Sequence, residues 1–384
     1  TAGALAAAID LVPADRPVVV LNGDLSLVAA ESIAGLVASH RESEAAATIA
    51  SAVLDDPTGY GRVVRGADGT LDKIVETKHP GDATPAELEI REVNGGLYVF
   101  DPAALASALP GVGIDNAQGE RYLPDVLGAI ASSGGRVEVV EAEDPNLLLG
   151  VNDRVELAVV RKIARRQIAE RLMLEGVDIV DPSSTVIDVG VEAGEDTVVE
   201  PFSVLSGPTV IGAGCRIGPG STLNGVRVGD GATILRSHLS DCEVGDGASV
   251  GPFSHLRPGT AVGPGAKVGA FVELKNANIG AGAKVPHLSY VGDADVGAEA
   301  NLGAGTITAN YDGTSKHRTV FGERVHGGVH VSYVAPVAVG DDVWTAAGTV
   351  VTDDVPDGSL AIGRERQENK EGYDERKRTG DGGG

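Results

Sequence analysis

Val262-Gly263-Pro264-Gly265-Ala266-Lys267-Val268-Gly269-Ala270-Phe271-Val272-Glu273-Leu274-Lys275 sets an aliphatic residue at 262, 268 and 274, six positions apart each time. The series extends upstream through Leu256, Val250 and Val244, and earlier through Ile234, Val228, Leu223, Ile217 and Ile211. Downstream it continues as Ile279, Val285, Val291, Val296 and Leu302. Most steps are six and a few are five. Glycine usually follows the aliphatic, and a small residue such as Cys215, Ser221, Ala248, Thr260 or Ala266 stands four places after it. This period fits neither a helix nor simple strand alternation. It fits a hexapeptide β-helix, in which each hexad forms one flat face and three faces form a coil. The aliphatics then stack inside as a ladder, with coils about 4.8 Å apart.

The remaining composition agrees. Only 3% of residues are aromatic and 54 of 384 are glycine, as expected where tight corners replace a bulky core. The formal charge of -24 argues against a general nucleic-acid or anionic-membrane surface. Two cysteines, Cys215 and Cys242, make no disulfide framework, and Cys215 falls on a small packing position. No apolar run reaches the roughly 20 residues of a membrane span, and no signal peptide is visible. The expected location is the cytoplasm. The chain opens at Thr1 inside what reads as the end of a loop, so a preceding segment is expected.

Residues 1–153 alternate helix-like and strand-like stretches, which implies a layered α/β domain. Ala2 to Leu11 and Ala29 to His40 read as helices, and Pro17-Val18-Val19-Val20-Leu21 as a buried parallel strand. That strand ends in Asn22-Gly23-Asp24, where the site of such a fold lies. A carboxylate there can hold Mg²⁺ beside substrate phosphates, or simply bond its own turn. Arg154 to Leu174 reads as one helix, with Val155, Val159, Ile163 and Ile168 apolar and Arg161, Lys162, Arg165 and Arg166 solvated.

In the repeats, counting places side chains. Leu256 and Leu274 are three hexads apart, so Arg257 and Lys275 should stack on adjacent coils. Two cations so placed repel by about 1 kcal/mol in water at 4 Å. An anionic ligand would relieve this, as would neighbouring acids. Glu273 and Tyr290 occupy equivalent places on adjacent coils, and His287 lies in the second of these hexads. The three should cluster, and a histidine beside a carboxylate suits proton abstraction. The register breaks at Ala309-Asn310-Tyr311-Asp312-Gly313-Thr314-Ser315-Lys316, a polar loop that must leave the coil.

Two ordered sets of fragments carry a resemblance. Gly59-Tyr60-Gly61-Arg62, Ile74-Val75-Glu76, Glu92-Val93-Asn94-Gly95-Gly96, Asn116-Ala117-Gln118-Gly119-Glu120 and Gly150-Val151-Asn152-Asp153-Arg154 form the first. Leu256-Arg257-Pro258-Gly259, Val272-Glu273-Leu274-Lys275, His287-Leu288-Ser289-Tyr290-Val291-Gly292-Asp293 and Asn301-Leu302-Gly303-Ala304-Gly305-Thr306 form the second, with Asn310-Tyr311-Asp312-Gly313 closing it. Together they resemble the bacterial bifunctional N-acetylglucosamine-1-phosphate uridyltransferase / glucosamine-1-phosphate N-acetyltransferase family, over nearly the whole chain.

The resemblance implies a Rossmann-like α/β nucleotidyltransferase domain over 1–153, a linker helix over 154–174 and a left-handed parallel β-helix acetyltransferase domain with a tail over 175–384. It implies Mg²⁺ held by Asp24 and Asn152, and UDP-sugar contacts from Thr1, Asn22, Gly23, Gly59, Glu76, Asn94 and Asn152. His287 matches the general base and Glu273 its orienting partner. Arg257, Lys275, Tyr290 and Asn301 match sugar-phosphate contacts, and Ala304, Asn310, Tyr311, Ala347 and Arg364 match acetyl-CoA contacts. The implied substrates are glucosamine 1-phosphate with acetyl-CoA, and N-acetylglucosamine 1-phosphate with UTP; the implied assembly is a homotrimer.

The chain departs from the family pattern at Leu25-Ser26, Pro124 and Val329, and lacks the family's Gly-rich phosphate loop ahead of Thr1. Negligible uridyl transfer by residues 1–384 alone is therefore expected. Two other readings stay open. A sugar-1-phosphate nucleotidyltransferase could use its β-helix for assembly or regulation only. A metal-binding β-helix of carbonic anhydrase type would need three histidines converging between subunits, for which His255, His287, His326 and His330 are the candidates.

Overall fold

The computed structural model describes residues 2–77, 81–113 and 121–379. It separates into two compact units, Thr1–Ala164 and Arg165–Gly384.

In the first unit a mixed sheet is built around one long strand. The strands are β1 (Val18–Leu21), β2 (Ala47–Val53), β3 (Arg62–Arg65), β4 (Leu71–Val75), β5 (Glu92–Phe100) and β6 (Val137–Glu141). β5 is central, with β2 antiparallel along one side. Its other side is shared end to end. β1 pairs with Leu97–Phe100, and β3 touches it at Arg62 opposite Val93. The stretch Asn94–Gly96 therefore faces the gap between two strand ends, where a site can open.

The apolar run at 17–21 is a strand, but an antiparallel one, half-buried rather than buried. Val19 and Leu21 are 39% and 42% exposed. β5 alone covers its hydrogen-bonding edge, so alternate side chains face outward. The helices fall at α1 (Ala2–Ala8), continued as a 3₁₀ turn over Ile9–Leu11, and at α2 (Ala30–Glu42). A core of Ile49, Tyr98, Phe100, Leu105, Leu123, Leu127 and Ile130 fills one side of the sheet.

His40 sits 4% exposed at the end of α2, with Nδ1 2.9 Å from Thr48 Oγ1. Burial holds its imidazole below the usual histidine range, against the pull of Asp101. The unfolded chain then binds the proton more readily than the folded one. Its contribution to stability is full above the ordinary imidazole range and is lost as pH falls through the folded value. The first unit is expected to melt lower at pH 5 than at pH 7, with a smaller difference in His40→Gln. Identical pH dependence in the two proteins would refute this.

The second unit is a parallel β-helix of short strands in three faces. One face runs Asp178–Ile179, Val198–Val199, Arg216–Ile217, Thr233–Ile234, Ser249–Val250, Lys267–Ala270 and Lys284–His287. On the next face Leu205, Leu223, Leu239, Leu256, Leu274 and Val291 are register partners in turn, and all are 0% exposed. The spacing is not constant: Leu256 to Leu274 is 18 residues, but Leu274 to Val291 is 17.

The glycine after the aliphatic has a steric cause. A Cβ on Gly263 would stand 2.8 Å from Ile279 O on the next coil. Cys215 packs as expected, buried, with Sγ 3.1 Å from Gly229 O. Burial raises both thiols, that of Cys242 to about 12, so neither is a reactive nucleophile.

The Arg154–Leu174 helix has the expected bounds. The expected apolar face is buried only in part: Ile168 packs against the β-helix core and Ile163 is half-buried, but the first turns are open. Val155 and Val159 are 73% and 51% exposed, whereas Val160, Ala169 and Leu172 are buried. Ala169 and Leu172 join the β-helix core. Two of its cations are paired along the helix or just past its end, Arg166 with Glu170 and Arg171 with Glu175.

Candidate active sites

In the first unit three backbone turns converge on the gap beside β5. The Asn22 N–H donates to Gly96 O at 3.0 Å, tying the turn after β1 to the middle of β5. Gly96 has φ +71°, and a Cβ there would lie 2.5 Å from Asn22 Nδ2, so only glycine lets the two meet. On a third side the Gly150 N–H donates to the Tyr60 hydroxyl at 3.3 Å. A Cβ on Gly150 would fall 3.2 Å from Asp24 Oδ2, so the Asp24 carboxylate lies against bare backbone.

The enclosed cavity is about 160 Å³. Asn22, Asp24, Gly59, Glu76, Asn94 and Asn152, all expected at the site, line it. Gly23 lies in the same turn but is not among the lining residues. Thr1 and the stretch 116–120 fall outside the described residues. Asn94 is locked by its neighbours, with Nδ2 donating to the Tyr98 hydroxyl at 2.8 Å and Oδ1 accepting from the Gly96 N–H at 3.0 Å.

Two ionisable lining residues, Tyr60 and Glu156, had no role assigned from the sequence. Tyr60 has its phenol raised by burial, with Glu156 and Asp24 pushing the same way. Glu156 accepts from the Asn152 N–H at 2.5 Å. The donor set fits Mg²⁺: Asp24 and Asn152 offer hard oxygens in one small cavity, and Gly150 leaves room against the carboxylate.

In the second unit the expected residues lie on two faces that meet at a corner. His287 ends one face, Leu288 turns the corner with φ +51°, and Tyr290 begins the next. The turn is pinned from both sides. The His287 carbonyl accepts from the Gly305 N–H at 3.0 Å and from Ser289 Oγ at 2.7 Å. The imidazole itself stands exposed.

Past the corner, Glu273 and Tyr290 are direct register partners, as counting predicts. The expected Glu273–His287 contact is absent from the hydrogen bonds among the described residues. Arg257 takes the carboxylate instead, NH1 donating to Oε1 at 2.9 Å. Being next to His255 and Arg257 in register, Glu273 meets the guanidinium before it can turn the corner.

Lys275 has Nζ 3.9 Å from Asp293 Oδ2, and Gly292 is its register partner. The Tyr290 hydroxyl folds over that glycine, where a Cβ would meet it at 2.4 Å. Asn310 Nδ2 reaches both the Tyr290 hydroxyl, at 3.4 Å, and Asp293. Asp293 is 8% exposed, and burial alone would raise its carboxyl. Hydrogen bonds from Asn276 and Asn310, with Lys275 and Lys316 nearby, bring it below the usual range. So the cations do stack, yet each is bridged to an acid. A second pair of cations lies here: the Lys316 ammonium is pulled below the usual lysine range by Lys275 beside it, with Asp293 opposing the shift. Asp293 and Lys316 both lie in stretches quoted above, but neither was given a role from the sequence.

The remaining expected residues continue down the His287 face. Asn301 bridges Lys284 and His326. Ala304, Val329 and Ala347 follow on successive coils below His287, linked by His330 N–H to Ala304 O at 2.7 Å and Gly348 N–H to Val329 O at 2.9 Å. Tyr311 and Arg364 are exposed, and the Tyr311 hydroxyl donates to Gly313 O at 2.6 Å. The histidines diverge within one chain. His255 stands edge-on to His238, with ring centroids 5.2 Å apart, while His326 stacks on Trp344 at 4.1 Å. Among the described residues no three His, Cys, Asp or Glu side chains form a group able to hold a metal. No described helix is long and apolar enough to cross a membrane.

Comparison with known proteins adds an independent line. Residues 1–143 match the nucleotidyl transferase family, and residues 194–225 and 241–276 match the bacterial transferase hexapeptide family. The bifunctional protein GlmU of Mycobacterium tuberculosis (strain ATCC 25177 / H37Ra) is 50% identical over 363 residues, covering 94% of this chain and 73% of that protein. That of Mycolicibacterium vanbaalenii is 49% identical over 382 residues, covering 99% and 77%. Among solved structures, an Arabidopsis UDP-N-acetylglucosamine acyltransferase aligns at TM-score 0.39 and 15% identity, covering 51% of this chain and 76% of that one.

Proposed function

This chain belongs to the family of bifunctional GlmU proteins, and from that premise we propose that it transfers acetyl and then uridyl groups in making UDP-N-acetylglucosamine. It carries both a nucleotidyltransferase domain and a hexapeptide acyltransferase domain. The reading assigns residues 1–153 to uridyl transfer, 154–174 to a linker and 175–384 to acetyl transfer, in a cytoplasmic homotrimer.

The observation that supports acetyl transfer most is the Leu288 corner. His287 stands exposed on one side of it, and Arg257, Lys275, Tyr290 and Asn310 gather on the other. The 2-ammonium group of glucosamine 1-phosphate must lose a proton before it can attack. His287 takes that proton, and the freed amine attacks the thioester carbonyl carbon of acetyl-CoA. The C–N bond forms, the tetrahedral oxyanion collapses and the C–S bond breaks; the nitrogen gives up its surplus proton, and the departing CoA thiolate takes one up. The sugar phosphate rests on Arg257, Lys275 and Tyr290, beside Asn301. Acetyl-CoA lies along Ala304, Ala347 and Arg364, near Asn310 and Tyr311.

In the first domain Asn22, Gly23, Gly59, Glu76 and Asn94, together with Thr1, would hold the nucleotide sugar, and Asp24 and Asn152 would hold Mg²⁺. The ion supplies charge neutralisation for transfer to phosphorus. A phosphate oxygen of N-acetylglucosamine 1-phosphate attacks the α-phosphorus of UTP, and pyrophosphate leaves.

Purified protein should release CoA thiol from acetyl-CoA only when glucosamine 1-phosphate is present; no release would reject the acetyltransferase reading. In the same assay Lys275→Ala is expected to raise the sugar-phosphate KM by about tenfold or more, as for a lost hydrogen bond to a charged group. The acetyl-CoA KM should change little. Equal effects on both substrates would count against Lys275 at the phosphate.

A further inference from the structure

Glu156 has no place in the sequence motifs, yet it lines the same 160 Å³ cavity as Asp24 and Asn152. Its carboxylate accepts the Asn152 N–H at 2.5 Å and so fixes the turn that carries the amide toward the cavity. Asp153 holds the other end, its Oδ1 accepting from the Val155 N–H at 2.8 Å and the Glu156 N–H at 2.9 Å. Glu156 is thus the third residue of a helix whose first turn is anchored from both sides. Its charge also acts across the cavity, since both Glu156 and Asp24 act on the Tyr60 phenol. No lysine or arginine is among the described residues that line the space.

We propose that Glu156 is a positioning residue of the Mg²⁺ seat, holding Asn152 by its backbone and lending its carboxylate charge to the ion's outer shell. This rests on the uridyl-transfer reading, in which Asp24 and Asn152 are the ligands. Mg²⁺ keeps several of its waters when bound, so a carboxylate beside the ligands can act through them. Groups that orient a metal ligand typically govern affinity by about 10–100-fold.

The test is binding of Mn²⁺ alone, followed by electron paramagnetic resonance, with thermal melts alongside. Glu156→Gln keeps a carbonyl oxygen for the Asn152 N–H but removes the charge. It should weaken Mn²⁺ binding by about tenfold at an unchanged melting temperature, and Glu156→Ala should weaken it further. Glu156→Asp, which keeps the charge, should restore part of the loss. Glu156→Gln binding within twofold of the unaltered protein would overturn the proposal, as would a loss that merely tracks a lower melting temperature. Asp24→Asn separates the two layers. If it too binds Mn²⁺ normally, the seat itself is misplaced; if it alone loses the ion, only the role of Glu156 fails.

Discussion

His287→Ala is expected to slow acetyl transfer by about 10²–10⁴-fold while leaving the β-helix intact, the range for loss of a positioned general base. The structural half follows from what holds the corner. Val285, 0% exposed, carries the packing of this strand, and the hydrogen bonds at residue 287 use its carbonyl rather than its ring. Truncating an exposed imidazole opens no cavity. The chemical half follows from the substrate: without a base, only the small deprotonated fraction of the amine can attack. The KM values should change less than kcat, and the rate that remains should climb with pH as the free-amine fraction grows. The competing account makes His287 a polar filler between coils. Near-normal kcat with a lowered melting temperature would favour that account and remove His287 from the reaction.

How far the sequence carried this site depends on how far the count of 18 holds. It holds from Leu256 to Leu274, so Arg257 over Lys275 could be read off. The next coil is 17 residues, so Lys275 lies over Gly292, and its acid partner Asp293 stands one place past that register partner. Lys316 was hidden for a different reason: it belongs to the loop that leaves the coil, where periodicity places nothing. The Glu273–His287 pair failed because a flat count ignores the corner at Leu288, which turns the two residues onto different faces.

In the first unit Gly96 and Gly150 of the quoted fragments are close approaches, a role the sequence alone did not give them. Strand direction was not legible, because an apolar run of five residues looks the same whether its partner runs with it or against it. The Arg154–Leu174 helix shows the same limit. It has apolar residues on more than one side, and only packing on the β-helix core selects Ala169 and Leu172.

Leu256→Ala is expected to cost about 2–5 kcal/mol, the range for a leucine cut to alanine in a close-packed core. Leu256 lies between Leu239 and Leu274 in an unbroken column, and all three are 0% exposed. A stacked repeat has contacts only with its neighbours, so the loss cannot be spread through a shared core. At roughly 2–4 °C per kcal/mol for a unit of this size, melting of the β-helix should fall by about 4–20 °C. The first unit should melt unchanged, because it has separate cores of its own. Leu174→Ala, at a position 90% exposed, is the control and should stay within about 0.5 kcal/mol. The lesion should also reach function, since Arg257 follows Leu256 directly, and its N–H donates to Leu274 O at 2.9 Å across the same pair of coils. The sugar-phosphate KM of Leu256→Ala should therefore rise below its melting range, while that of Leu174→Ala stays put. Calorimetry of the two variants, with kinetics beside it, decides the matter. If Leu256→Ala melts with the unaltered protein, the aliphatic column is not what holds the coils in register.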